Sequence, residues 1–157
     1  MPAHGMFFED YKAGQVFEHS RSRTMTEMDN VLLTHLTMNT SAAHFDRQFA
    51  KELLGGQFED RLVMGGVVLG VVVGLTSQDM SENALSDLGY GEIRFVAPVF
   101  HGHTLSARSE VLKVADSRER TDCGVVTYRF EGTNQDGKKV VLGWRSVLVR
   151  RRPTDHQ

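Results

Sequence analysis

Residues 62–75 form a run of fourteen apolar or glycine residues with no charge, bounded by Arg61 and Thr76, and no other segment constrains the fold so strongly. A helix that spans a bilayer takes about 18–20 apolar residues, so a run this short must be buried in protein. Val67, Val68, Val71, Val72 and Val73 favour strand by propensity. Against that, Gly66, Gly70 and Gly74 recur every four residues, which aligns them along one helical face, and fourteen residues is long for a strand. The pattern predicts a central buried helix whose glycine stripe lets a sheet approach closely. The competing reading is two buried strands joined at a glycine turn.

The chain after the run reads as sheet. Val126, Tyr128 and Phe130 alternate with Thr127, Arg129 and Glu131, the period of a half-buried strand. Asn134-Gln135-Asp136-Gly137 supplies turn chemistry, and residues 139–150 return as the hairpin partner. Residues 90–99 and 104–115 come before these, joined across the turn-like 98–103. Four closely linked strands argue for an antiparallel sheet.

Ahead of the run, 16–24 can open the sheet. Thr26, with Asp29 three residues on, forms a weak capping box, and Val31, Leu32, His35 and Leu36 come next at helical spacing. Residues 44–53 are a second short helix candidate, with Phe45, Phe49 and Leu53 on one face. The sum is an α+β arrangement in a single domain over residues 1–157: an antiparallel sheet wrapped around one apolar helix, the hot-dog shape. Its open edge and concave flank predict a dimer that joins two sheets.

A chain of 157 residues suits one domain and buries enough surface to need no disulfide or metal. Eighteen basic against twenty acidic residues leave no basic excess for nucleic acid. Cys123 is alone, so neither an intrachain disulfide nor a C-x-x-C metal or redox motif is available. The first fifteen residues lack a basic stretch leading into an apolar core, which predicts no secretory signal, no membrane association and a cytoplasmic protein.

The stretch most suited to chemistry is Leu36-Thr37-Met38-Asn39-Thr40-Ser41-Ala42-Ala43-His44-Phe45-Asp46, where Asn39, Ser41, His44 and Asp46 crowd a loop between two helix candidates. Downstream, Val63-Met64-Gly65-Gly66 leads into the buried helix. Backbone N–H groups at a helix start, approached closely past glycine, suit an oxygen that gains negative charge. A histidine beside them could activate water for addition to a polarised carbonyl conjugate. Other polar residues have plainer readings. Asp46 is expected to cap the next helix, His101 and His103 to lie on a solvated loop and not on a metal, and Arg150, Arg151 and Arg152 to form a solvated tail, although arginines also bind phosphates well. Arg94 and Arg145 fall on strands and could approach a carboxylate.

These residues carry a family likeness. The chain resembles the MaoC-like dehydratases and (R)-specific enoyl-CoA hydratases through Tyr11-Lys12-Ala13-Gly14-Gln15, residues 36–50, Val63-Met64-Gly65, and Arg94-Phe95-Val96-Ala97-Pro98-Val99-Phe100-His101-Gly102 with Thr104-Leu105. The resemblance implies homodimers, or dimers of dimers, of hot-dog protomers that bind an acyl-CoA thioester in a tunnel. They hydrate its trans-2 double bond reversibly, with no cofactor beyond the substrate. The family site holds an Asp and, five residues on, a His, often within D-x-N-P-x-H. His44 matches that histidine, Asp46 the acidic residue two places beyond it, and Ser41 a position held by Asn or Ser; Asn39 stands where the catalytic Asp is found. Gly65 matches the glycine that polarises the thioester carbonyl, Met64 replaces the histidine before it, and Gly102-His103-Thr104 replaces Gly-Asp-Thr. By resemblance, His44 is the acid/base, Asn39 positions the water, and Ser41, Gly65 and Gly66 contact substrate.

A neutral amide cannot exchange a proton at physiological pH, so Asn39 leaves that work to His44, whose side-chain type titrates near neutrality. The wording L-T-M-N with H-F-D further resembles a branch that acts on small branched dicarboxylic acyl-CoAs of the mesaconyl or itaconyl kind. Two rivals stand beside the hydratase reading. A hot-dog thioesterase would use a carboxylate near the central helix, yet no acid occurs between Met64 and Gln78 before Asp79. A non-catalytic acyl-CoA-binding protein would explain Asn39.

Overall fold

Two local caps start the helical half. Thr26 Oγ1 accepts the Asp29 N–H while Asp29 Oδ2 accepts the Thr26 N–H at 3.0 Å, opening α1 (Glu27–Leu36) with a reciprocal box. Asp46 Oδ1 accepts the N–H groups of Gln48 and Phe49 at 2.8 and 3.0 Å and starts α2 (Arg47–Glu52), a shorter helix than the 44–53 pattern suggested. This computed structural model describes residues 5–153. The apolar run becomes α3 (Gly65–Met80), which resolves its ambiguity in favour of helix. Among the described residues no helix is long and apolar enough to cross a membrane.

Five strands, β1 (Val16–Thr24), β2 (Ala84–Phe95), β3 (Thr104–Asp116), β4 (Cys123–Thr133) and β5 (Lys139–Arg150), form one antiparallel sheet in the order β1-β3-β4-β5-β2. α3 lies on one face, packing against β1, β3, β4 and β5. Val67, Val68, Val72 and Leu75 join Tyr128, Phe130, Val141 and Val147 in the core. The segment 90–99 is not the hairpin partner of 104–115: β2 pairs with β5 at one edge, and β1 takes the place beside β3 at the other. Residues 96–103 therefore cross from one edge of the sheet to the other. The crossing is tied down by the Val96 N–H on Val140 O (2.9 Å), the Val63 N–H on Val99 O (2.9 Å) and the Gly102 N–H on Met25 O (2.8 Å).

The glycine stripe does not face the sheet. Gly66, Gly70 and Gly74 lie on the exposed side of α3, and a Cβ on Gly70 or Gly74 would meet nothing within 4 Å. The valines and Leu75 occupy the buried face, and a period of 3.6 residues leaves the glycines opposite. The close approach is made instead by Gly132 of β4, where a Cβ would lie 2.5 Å from Val72 Cγ2. Overpacked cores lose about 1–3 kcal/mol, so Gly132→Ala is expected to lower the thermal midpoint by several degrees, while Gly70→Ala leaves it unchanged or raises it. Calorimetry of the two variants checks this. If Gly132→Ala melts with the wild type, the helix does not bear on the sheet at this point.

Arg150 ends β5 exposed to solvent, but Arg151 and Arg152 do not form a free tail. Arg151 pairs with Glu9 (3.3 Å) and Asp116 and sits 4.5 Å over the Phe8 ring, while Arg152 pairs with Asp10 (2.7 Å) and sits over Phe7. Both guanidiniums clasp the start of the described chain to the end of β5.

Candidate active site

α1 ends in a turn through Met38, whose φ of 58° is left-handed, and Asn39 Oδ1 then accepts the Ser41 N–H at 2.8 Å. A 3-10 turn over Ala42–His44 comes next and delivers the imidazole. His44 Nδ1–H donates to the Leu62 carbonyl at 2.9 Å, so the remaining lone pair is on Nε2, which has no hydrogen-bond partner among the described residues. Leu62 is held in turn: its N–H donates to Ala43 O at 3.0 Å, and it bridges to Phe100.

Gly65 is the first residue of α3. Of the donors at this helix start, the Met64 N–H goes to Asn30 Oδ1 (3.0 Å) and the Val67 N–H to Met64 O (2.9 Å). The Gly65 and Gly66 N–H groups have no partner among the described residues, and they stand at the positive end of the helix dipole. His44 and Gly65 line the same cleft, of about 430 Å³, with apolar walls from Phe58, Phe95, Val96 and Pro98. A Cβ on Gly65 would lie 3.1 Å from the Phe95 ring, so glycine here keeps the helix start open to the cleft.

The other expected site residues fall elsewhere. Asn39 and Ser41 lie on the turn before His44 and do not line the cleft. Gly66 is turned about 100° around the helix from Gly65 and faces a separate apolar groove with Leu33, Thr37 and Met64. Asp79, at the far end of α3 and about 21 Å from Gly65 at 1.5 Å per residue, is engaged by His19 Nδ1 at 2.7 Å. Arg145 is buried and committed to Asp87 (2.5 Å) and Tyr128 (3.0 Å), and its hydrogen bond holds the Asp87 carboxyl below the usual range despite burial; Arg94 is exposed.

His101 is a further correction: its side chain is only 9% exposed, not solvated, and Nε2 meets Asn30 Nδ2 at 3.1 Å. Burial, and after it the nearby Arg61 guanidinium, pushes this imidazole below its ordinary value, which keeps it neutral. Among the described residues no group of three or more His, Cys, Asp or Glu side chains could hold a metal. Sequence reasoning missed Asn30 altogether, because its partners are spread from position 34 to position 101.

An antiparallel sheet on a long apolar helix, with a histidine opposite the helix start, defines a hot-dog protein of the MaoC-like kind. A family model described as mesaconyl-CoA hydratase matches residues 2–157, and the chain belongs to that family. The mesaconyl-CoA hydratase of Cereibacter sphaeroides is 36% identical over 151 residues, covering 96% of this chain and 43% of that one. The crystal structure of a putative MaoC domain protein dehydratase from Chloroflexus aurantiacus superposes with a TM-score of 0.89 at 35% identity, covering 99% of this chain and 43% of that one. A conserved hypothetical protein of Mycobacterium tuberculosis with a double hotdog fold superposes at 0.85 with 21% identity, over 98% of this chain and 46% of that one, a likeness of fold. The chain spans about two-fifths of the length of the relatives named mesaconyl-CoA hydratase or beta-methylmalyl-CoA dehydratase.

Proposed function

We propose that this chain carries out reversible hydration of a short enoyl-CoA thioester, and that its preferred acyl group is a branched dicarboxylic one of the mesaconyl or itaconyl type. The observation that carries the reading is the shared cleft of His44 and Gly65. The thioester oxygen accepts the Gly65 N–H, the conjugated double bond is polarised, and water adds to Cβ. His44 Nε2 takes the proton that the water gives up and returns one to Cα, so a water is added across the bond with no cofactor. Asn39, with Oδ1 engaged, keeps Nδ2 for a water from the turn that leads to His44, whereas Ser41 and Gly66 lie outside the cleft and so away from the thioester.

The substrate preference is supported by the matching family model and by the related mesaconyl-CoA hydratase. The same reading takes the working unit as a homodimer or dimer of dimers in the cytoplasm. The exposed Leu85, Leu88 and Phe95 on the edge strand β2 and the exposed Met28, Leu32 and Leu36 along α1 support pairing.

The test is incubation with crotonyl-, mesaconyl- and itaconyl-CoA while the loss of conjugated thioester absorbance is monitored. Release of free thiol instead marks a thioesterase, and ligand-induced thermal stabilisation without turnover marks a binding protein; either result overturns the hydratase reading. Asn39→Asp checks how the chain works without the family's acid. It is expected to raise hydration of crotonyl-CoA relative to mesaconyl-CoA by about tenfold, because the restored carboxylate replaces help that the second substrate carboxylate supplies. An unchanged ratio counts against that assistance.

A further inference from the structure

Asn30 is fully buried in α1, and its one carboxamide reaches every part of the site framework. Nδ2, with two hydrogens, lies 3.1 Å from three acceptors, the His44 carbonyl, the Leu62 carbonyl and His101 Nε2, so one hydrogen is shared between two of them. Oδ1 accepts the Met64 N–H at 3.0 Å and the Thr34 hydroxyl at 3.2 Å. The backbone donor at Met64 fixes which end of the amide is oxygen. The Leu62 carbonyl therefore receives two donors, Asn30 Nδ2–H and His44 Nδ1–H, which occupy both of its lone pairs and direct its oxygen at the imidazole. Met64, on the other end of the carboxamide, immediately precedes the helix start that presents the Gly65 N–H. Neutral His101 acts as an acceptor on the third side, which closes the network without adding charge.

We propose that Asn30 is a positioning residue: it sets the Nδ1–H tautomer of His44 through Leu62 and the spacing of His44 from the Gly65 N–H through Met64. It touches neither substrate nor reacting atoms. The kinetic part of this inference rests on the hydratase reading; the tautomer part does not.

The experiment uses the full chain labelled with ¹⁵N-histidine, with the His44 signals assigned by their loss in His44→Ala. In the wild type, neutral His44 is expected as the Nδ1–H tautomer, and an Nε2–H tautomer overturns the proposal without any variant of Asn30. Asn30→Asp keeps an oxygen for Met64 but turns a carboxylate towards the Leu62 and His44 carbonyls. The expected result is mixed tautomers at His44 and a kcat lower by about a hundredfold, the size a small misplacement of a reacting group produces, with KM within about threefold. A variant that melts earlier but keeps the wild-type tautomer and kcat shows that Asn30 is only structural, and the proposal falls. If the wild type turns over no enoyl-CoA while the tautomer still depends on Asn30, the positioning role stands and the hydratase reading fails.

Discussion

Replacing His44 with alanine is expected to lower kcat for enoyl-CoA hydration by about 10²–10⁴-fold while the thermal midpoint stays within a few degrees of wild type. Two features of the site make the effects separable. The contribution of His44 to the framework is mostly backbone: its carbonyl accepts from Asn30 and its N–H donates to Ser41 O, and both survive truncation. The lost side-chain bond to Leu62 is a single partly buried hydrogen bond, worth about 1 kcal/mol net. The lost chemistry has no substitute nearby, because the cleft walls contributed by Phe58, Phe95, Val96 and Pro98 hold no other group that exchanges protons near neutrality. Steady-state kinetics beside calorimetry is the measurement. An alanine variant retaining more than about a tenth of wild-type kcat would mean that the imidazole is not the acid/base.

The second large effect isolates a single backbone donor. Gly65→Pro is expected to cut kcat by about 10²–10³-fold, the size seen when one donor to a developing oxyanion is removed, whereas Gly65→Ala keeps most of the activity. Proline is tolerated here for definite reasons. Position 65 is the first helical residue, where an N–H has no intrahelical partner, and Met64 already has φ −57° and ψ 134°, the extended conformation that a residue before proline prefers. Both substitutions place a Cβ 3.1 Å from the exposed Phe95 ring, so that steric cost is common to the pair, and proline in addition replaces the N–H by its ring Cδ. Comparing kcat across the pair, with unfolding temperatures as control, tests the assignment. Equal activities would remove the Gly65 N–H from the chemistry.

Local signals were legible in the sequence and long-range ones were not. Thr26 with Asp29 and Asp46 before Arg47 are caps made by neighbours, so the residue types alone identify them. The alternation at 126–131 likewise reflects a strand buried on one face. The orientation of the glycine stripe depends on which side of α3 the sheet lies, and the valines that decide it look equally apolar all round the helix in sequence. The solvated reading of Arg151 and Arg152 failed because their partners, Glu9, Asp10 and Asp116, lie at distant positions. At the site, the residue types of the 36–46 loop, the glycines at the helix start and the family likeness singled out His44 and Gly65, which share one cleft, but the network that joins them runs through Asn30, which no local pattern marks.

The crossing segment 96–103 bears on how this cleft changes over evolutionary time. The imidazole and the helix start are anchored to each other through main-chain bonds and α1, whereas Val96 and Pro98 reach the cleft on a connector whose own tethers are backbone N–H groups and carbonyls. Of the connector's side chains, Val96 and Pro98 face the cleft, whereas Val99 belongs to the buried core and His101 to the Asn30 network. Sequence change at Val96 and Pro98 can therefore reshape one wall of the cleft while leaving the His44 and Gly65 arrangement in place.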